Sequence, residues 1–79
     1  MSSTSRTLYV GGFGSALDAH ELRALFARHG TIDQLRLVER GDASVAYVTF
    51  ERDTDADRAR RQIDGLQLAG RTLRVAIAK

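Results

Sequence analysis

Seventy-nine residues make one small domain; at this length folding buries roughly 60 % of the unfolded chain's surface, enough for one sheet and one layer of helices but not for a cleft between domains. Hydrophobic residues make up 43 % and charged residues 28 %, a globular balance, and the net charge is only +2. The absence of cysteine excludes disulfide scaffolds, thiol catalysis and thiolate metal sites, and no apolar run approaches the roughly 20 residues of a membrane span.

Residues 1–6 are small or polar, lack periodicity and read as a disordered tail. Thr7–Val10 suits a strand, cut by Gly11-Gly12-Phe13-Gly14, which reads as a loop and lacks the spacing of a nucleotide-binding glycine motif. Asp18 can cap the following helix, with Glu21 completing a capping box. Leu22, Leu25, Phe26 and His29 share its apolar face, and Gly30 is expected to stop it. Residues 31–39 read as a second strand, with Leu35 and Leu37 on the oily side and Gln34, Arg36 and Val38 on the other.

Arg40-Gly41-Asp42 is a turn, and residues 45–50 form the strongest strand by propensity. A second helix begins at Thr54, buries Ala56, Ala59 and Ile63, and ends at Asp64-Gly65. Its acidic start and basic end suit the helix dipole, and Asp57 can pair with Arg61 one turn on. Leu66–Leu68 is expected to pair briefly before Ala69-Gly70 turns the chain into a final strand over 72–77. The order β-α-β-β-α-β, with one apolar side per element, predicts an α+β sandwich: two helices on one face of a four-stranded sheet.

The other face is left to solvent, and alternation fills it with named residues. Leu8, Val10, Ala46, Val48, Phe50, Leu73 and Val75 point inward with Leu35 and Leu37. Tyr9, Gln34, Arg36, Val38, Val45, Tyr47, Thr49, Arg74 and Ala76 then point outward. Two aromatic rings beside guanidinium groups on an open sheet make a stacking platform for unpaired bases. Eleven of the twelve basic residues are arginine, whose flat fork suits both phosphates and base faces.

At these residues the chain resembles the RNA recognition motif family. Leu8-Tyr9-Val10-Gly11-Gly12-Phe13 is similar to the family's hexamer on the first strand, and Ala43–Phe50 to its octamer on the third. Leu22-x-x-x-Phe26-x-x-His29-Gly30, followed by Ile32, resembles the first helix and the step into the second strand. Asp64-Gly65 and Gly70-Arg71-Thr72-Leu73-Arg74-Val75 resemble the closing segment, so the likeness runs from Thr7 to Lys79. It implies a ferredoxin-like fold with antiparallel strand order 4-1-3-2, a single domain over 7–79 and no enzymatic activity. The implied partner is single-stranded RNA, with single-stranded DNA as a lesser alternative. No cofactor and no membrane partner are expected; the chain is read as a monomer, intracellular by resemblance only.

The departures bear on affinity. The octamer usually opens with a base that pairs phosphate, and here that position is Ala43. Ser44 replaces the usual glycine, Val45 one of three stacking rings, Gly12 a common asparagine, His29 a usual aromatic and Arg60 a usual Ile or Val. The turn between the second and third strands is short. A modest binder is therefore expected, with Arg36, Arg40 and Arg74 sharing the phosphate role and Lys79 at the chain end joining the surface. The competing expectation is a protein-interaction module with little RNA binding. An acylphosphatase-like enzyme would need a phosphate-holding arginine in residues 11–17, and there is none. Neither His20 nor His29 has neighbours at metal-ligand spacing.

Overall fold

The computed structural model describes residues 5–78. The elements run β1 (Thr7–Gly11), α1 (Ala19–Ala27), β2 (Ile32–Val38), β3 (Val45–Phe50), α2 (Asp53–Ile63), β4 (Gln67–Leu68), β5 (Arg71–Thr72) and β6 (Arg74–Ile77). β2, β3, β1 and β6 form an antiparallel sheet in that order, the expected 4-1-3-2 arrangement of a ferredoxin-like fold. Both helices pack on one face. From the sheet they cover Leu8, Val10, Ala46, Val48, Phe50 and Val75; from their own stripes come Leu22, Phe26, Ala56, Ala59 and Ile63, all buried.

The capping box of α1 forms in full: the Glu21 N–H donates to Asp18 Oδ1 at 2.8 Å, and the Asp18 N–H to Glu21 Oε1 at 3.0 Å. The helix stops at Ala27, three residues before Gly30, with Arg28 as a right-handed cap. Gly30 thus does not end the helix as expected; it permits close packing. A Cβ on Gly30 would fall 2.5 Å from the Asp55 side chain at the start of α2.

Three further expectations change. Leu35 and Leu37 reach only the half-buried rim of the core, because β2 is an edge strand with no neighbour to close over it. The core instead gains Phe13, 1 % exposed, from the segment read as a plain loop. The final strand of 72–77 divides at Leu73. Before it, β5 pairs with β4 across a turn whose residues Ala69 and Gly70 both have positive φ, the geometry of a type I′ hairpin; after it, β6 joins the main sheet. Leu73 itself is tied to the end of α2 through bonds to Gly65 and Leu66, both 2.8 Å.

β2 also contains an irregularity the alternation did not reveal. Ile32, Leu35 and Leu37 cannot all face inward at a strict period of two, since Ile32 and Leu35 are three apart. A register shift between Ile32 and Gln34 resolves this: Ile32 pairs with Phe50 and Gln34 with Thr49, leaving Asp33 extra. Residues 5 and 6, assigned to the tail, are bonded to the sheet; the Phe50 N–H donates to the Arg6 carbonyl at 2.9 Å.

Candidate nucleic-acid interface

The outward side chains fall into rows set by strand register. One row crosses all four strands as Arg36, Tyr47, Tyr9 and Ala76. Beside it runs Gln34, Thr49 and Thr7; on the other flank Val38 pairs with Val45, and Gly11 with Arg74. The sequence-derived open-face set therefore shares one surface. Arg40 lies off it, exposed in the β2–β3 turn, and Lys79 lies outside the described residues.

The two tyrosine rings meet edge to face, with centroids 5.9 Å apart and planes at 65°. Tyr47 is 38 % exposed and Tyr9 half-buried. Gly11 explains the posture of Tyr9: a Cβ there would lie 2.9 Å from the phenol oxygen and 3.3 Å from the ring. Lacking one, the strand lets the ring lie along the sheet. Gly12 is bound more tightly still. Its φ is +85°, and a Cβ would fall 2.3 Å from the Thr72 carbonyl oxygen, so the family's common asparagine has no room.

Ser44 gives the short turn its shape. It is buried, accepts from the Arg40 N–H at 2.9 Å and donates to the Gly41 carbonyl at 2.8 Å. The hydroxyl does a job that the family's glycine cannot. Arg71 adds an outer tie: its guanidinium lies over Gly14 and reaches Asp42 at 3.2 Å. Ala43, beside Ser44, is exposed and offers no charge.

Electrostatics separates the arginines. Arg60 and Arg61 are committed to Asp57 on α2, at 3.2 and 2.6 Å. The hydrogen bonds from Arg60 and then Arg61 hold the Asp57 carboxyl below its ordinary value. At Arg60, where Ile or Val is usual, the side chain is half-exposed and turned to Asp57. Arg36, Arg40 and Arg74 enter no ion pair among the described residues. A hollow of about 710 Å³ on the helix side is lined by Arg23, Arg28, His29 and Arg58 but by no tyrosine or phenylalanine. On the open face a smaller depression of about 300 Å³ lies against Tyr47. No group of His, Asp and Glu among the described residues is placed to hold a metal ion.

The sequence profile of the RNA recognition motif matches residues 8–74. RNA-binding protein 1 of Drosophila melanogaster is 35 % identical over 71 residues, covering 90 % of this chain and 49 % of that protein. The polyadenylate-binding protein of Encephalitozoon cuniculi is 36 % identical over 76 residues, covering 94 % of this chain and 15 % of its own length. The chain thus spans half or less of these relatives. Among solved structures, the Sxl-lethal protein/RNA complex superposes with a TM-score of 0.87 at 26 % identity, over 95 % of this chain and 47 % of that one. With the profile match spanning both helices, nearly all of β1, the whole of β2 and β3 and the first residue of β6, the chain belongs to the RNA recognition motif family.

Proposed function

We propose that this domain binds single-stranded RNA, with two successive bases stacked on Tyr9 and Tyr47. The observation that carries the reading is the cross-strand row: both rings stand outward on adjacent central strands, flanked by Arg36, on the face that no helix covers. A relative named as an RNA-binding protein and a solved protein/RNA complex with the same fold support it. Base faces are apolar and flat, so stacking on such rings tolerates any sequence, and phosphates then need only nearby positive charge. Arg74 and Arg40 supply that charge in place of Ala43. With one ring replaced by Val45 and a turn too short to fold over the strand, the affinity is modest.

The role is binding without catalysis, by a unit spanning residues 7–79 and acting as a monomer. The test is a nuclear magnetic resonance titration with a pool of short single-stranded RNAs. Amides of β1 and β3 around Tyr9 and Tyr47 shift on binding. A spectrum that RNA leaves unmoved would favour a protein-interaction module, and shifts confined to α1 and α2 would move the RNA off the sheet.

A further inference from the structure

The depression against Tyr47 has a lining that stacking leaves unused. It is formed by Thr7, Gln34, Arg36, Tyr47 and Thr49. One wall is the tyrosine ring; every other lining side chain carries a hydrogen-bonding group. The Thr7 and Thr49 hydroxyls bond to each other at 2.9 Å, which satisfies one proton and leaves the other free. Gln34 and Arg36 are both exposed and engage in no side-chain hydrogen bond or ion pair among the described residues. The β2 register shift places Gln34 opposite Thr49, two residues from Arg36 and on the same face. At about 300 Å³ the hollow is at the small end of ligand sites, suited to one base.

We infer that this depression reads the identity of a base, and that it selects guanine and cytosine, which set two adjacent acceptors beside a donor, over adenine and uracil. The inference rests on the reading of the open face as an RNA-binding surface and adds selectivity to it. An arginine fork presents two parallel N–H donors, which match the O6 and N7 acceptors of guanine. Next to O6, guanine N1–H is a donor that the Gln34 carbonyl can accept. Unpaired cytosine repeats this pattern, with N3 and O2 as the acceptor pair and its N4 amino group as the donor beside them. Adenine instead sets its amino donor between its two ring acceptors, so one arm of the fork meets a donor. Uracil sets its ring N–H between its two carbonyls, so no two acceptors are adjacent and half of the fork goes unpaired. A polar group left unpaired in a contact is what makes such discrimination large. Arg36 therefore differs in kind from Arg74 and Arg40, whose charge serves every sequence equally.

Fluorescence anisotropy at low salt tests this with four RNA probes: a uridine octamer, and the same octamer carrying one central guanosine, cytidine or adenosine. The guanosine and cytidine probes bind about five- to hundredfold tighter than the adenosine probe, which binds no better than the uridine octamer itself. Arg36→Met removes the fork while keeping the stem, and brings the guanosine-to-adenosine ratio close to one. Gln34→Ala lowers the ratio without abolishing it, and melting curves for both variants match the parent because both side chains are exposed. Equal affinity for the guanosine and adenosine probes overturns the inference and leaves RNA binding standing. So does an Arg36→Met variant that weakens all four probes by one common factor, since that is the signature of a phosphate contact. Failure of all four probes to bind overturns the RNA reading and this inference together.

Discussion

Two aromatic pairs flank the same sheet, and by geometry alone they are hard to tell apart. Phe26 and Phe50 lie 6.5 Å apart at 53°; Tyr9 and Tyr47 lie 5.9 Å apart at 65°. Phe50 and Tyr47 even share β3, three residues apart and so on opposite faces. The difference lies in what surrounds them. The phenylalanines are wholly excluded from water by α1 and α2, whereas among the described residues no element covers the tyrosines, whose neighbours across the strands are Arg36 and Ala76. Ring contact does not decide whether an aromatic pair serves the fold or a ligand; the presence of a covering layer does.

That contrast can be broken in two places. Phe26→Ala opens a cavity that the close-packed core cannot fill, at a cost of about 3–5 kcal/mol, a large share of the stability of so small a domain. Thermal melting checks it, and a shift of only a few degrees would mean that the helix side is not the structural side. Tyr9→Ala and Tyr47→Ala each remove about 1–3 kcal/mol of single-strand binding, measured by titration, with melting curves close to the parent. Tyrosine variants that melt early yet bind RNA as before would merge the two pairs into one structural class. Ser44→Ala sits between the classes. It leaves the Arg40 N–H without its partner, costs about 1 kcal/mol of stability, and weakens binding only by loosening the turn.

The architecture was largely legible because it rests on periodicity. Alternation sorted Tyr9, Tyr47, Arg74 and Ala76 from Leu8, Val10, Ala46 and Val48, and the capping box marked α1. What escaped notice depends on long-range partners. Phe13 follows two glycines and precedes a third, so no period assigns it a side; only the assembled core does. The division at Leu73 comes from bonds to Gly65 and Leu66, set by where α2 ends. Gly30 has the composition of a helix stop, and its packing against Asp55 needs the second helix to exist first. The β2 irregularity did leave a trace, the odd spacing of Ile32 and Leu35, and that spacing is what brings Gln34 beside Arg36.

The smallest effect concerns charge on the open side. Arg74 stands beside Gly11 and Arg40 in the adjoining turn, neither engaged in an ion pair among the described residues. A single-strand phosphate contact contributes about 0.7 to the slope of log affinity against log salt. Arg74→Gln and Arg40→Gln each lower the magnitude of that slope by up to about 0.7, weakening every sequence alike. The reverse change sharpens the assignment. Ala43 is exposed on the short turn held by Ser44, where family members usually carry a base, so Ala43→Arg adds charge without displacing any packed atom. Affinity rises and the slope steepens by about the same increment. Because surface charge contributes little to stability, melting stays within the parent's range, which separates this gain from a folding effect. An Ala43→Arg variant with unchanged affinity and unchanged slope would mean that no phosphate passes the turn, and that the strand crosses the platform nearer β6.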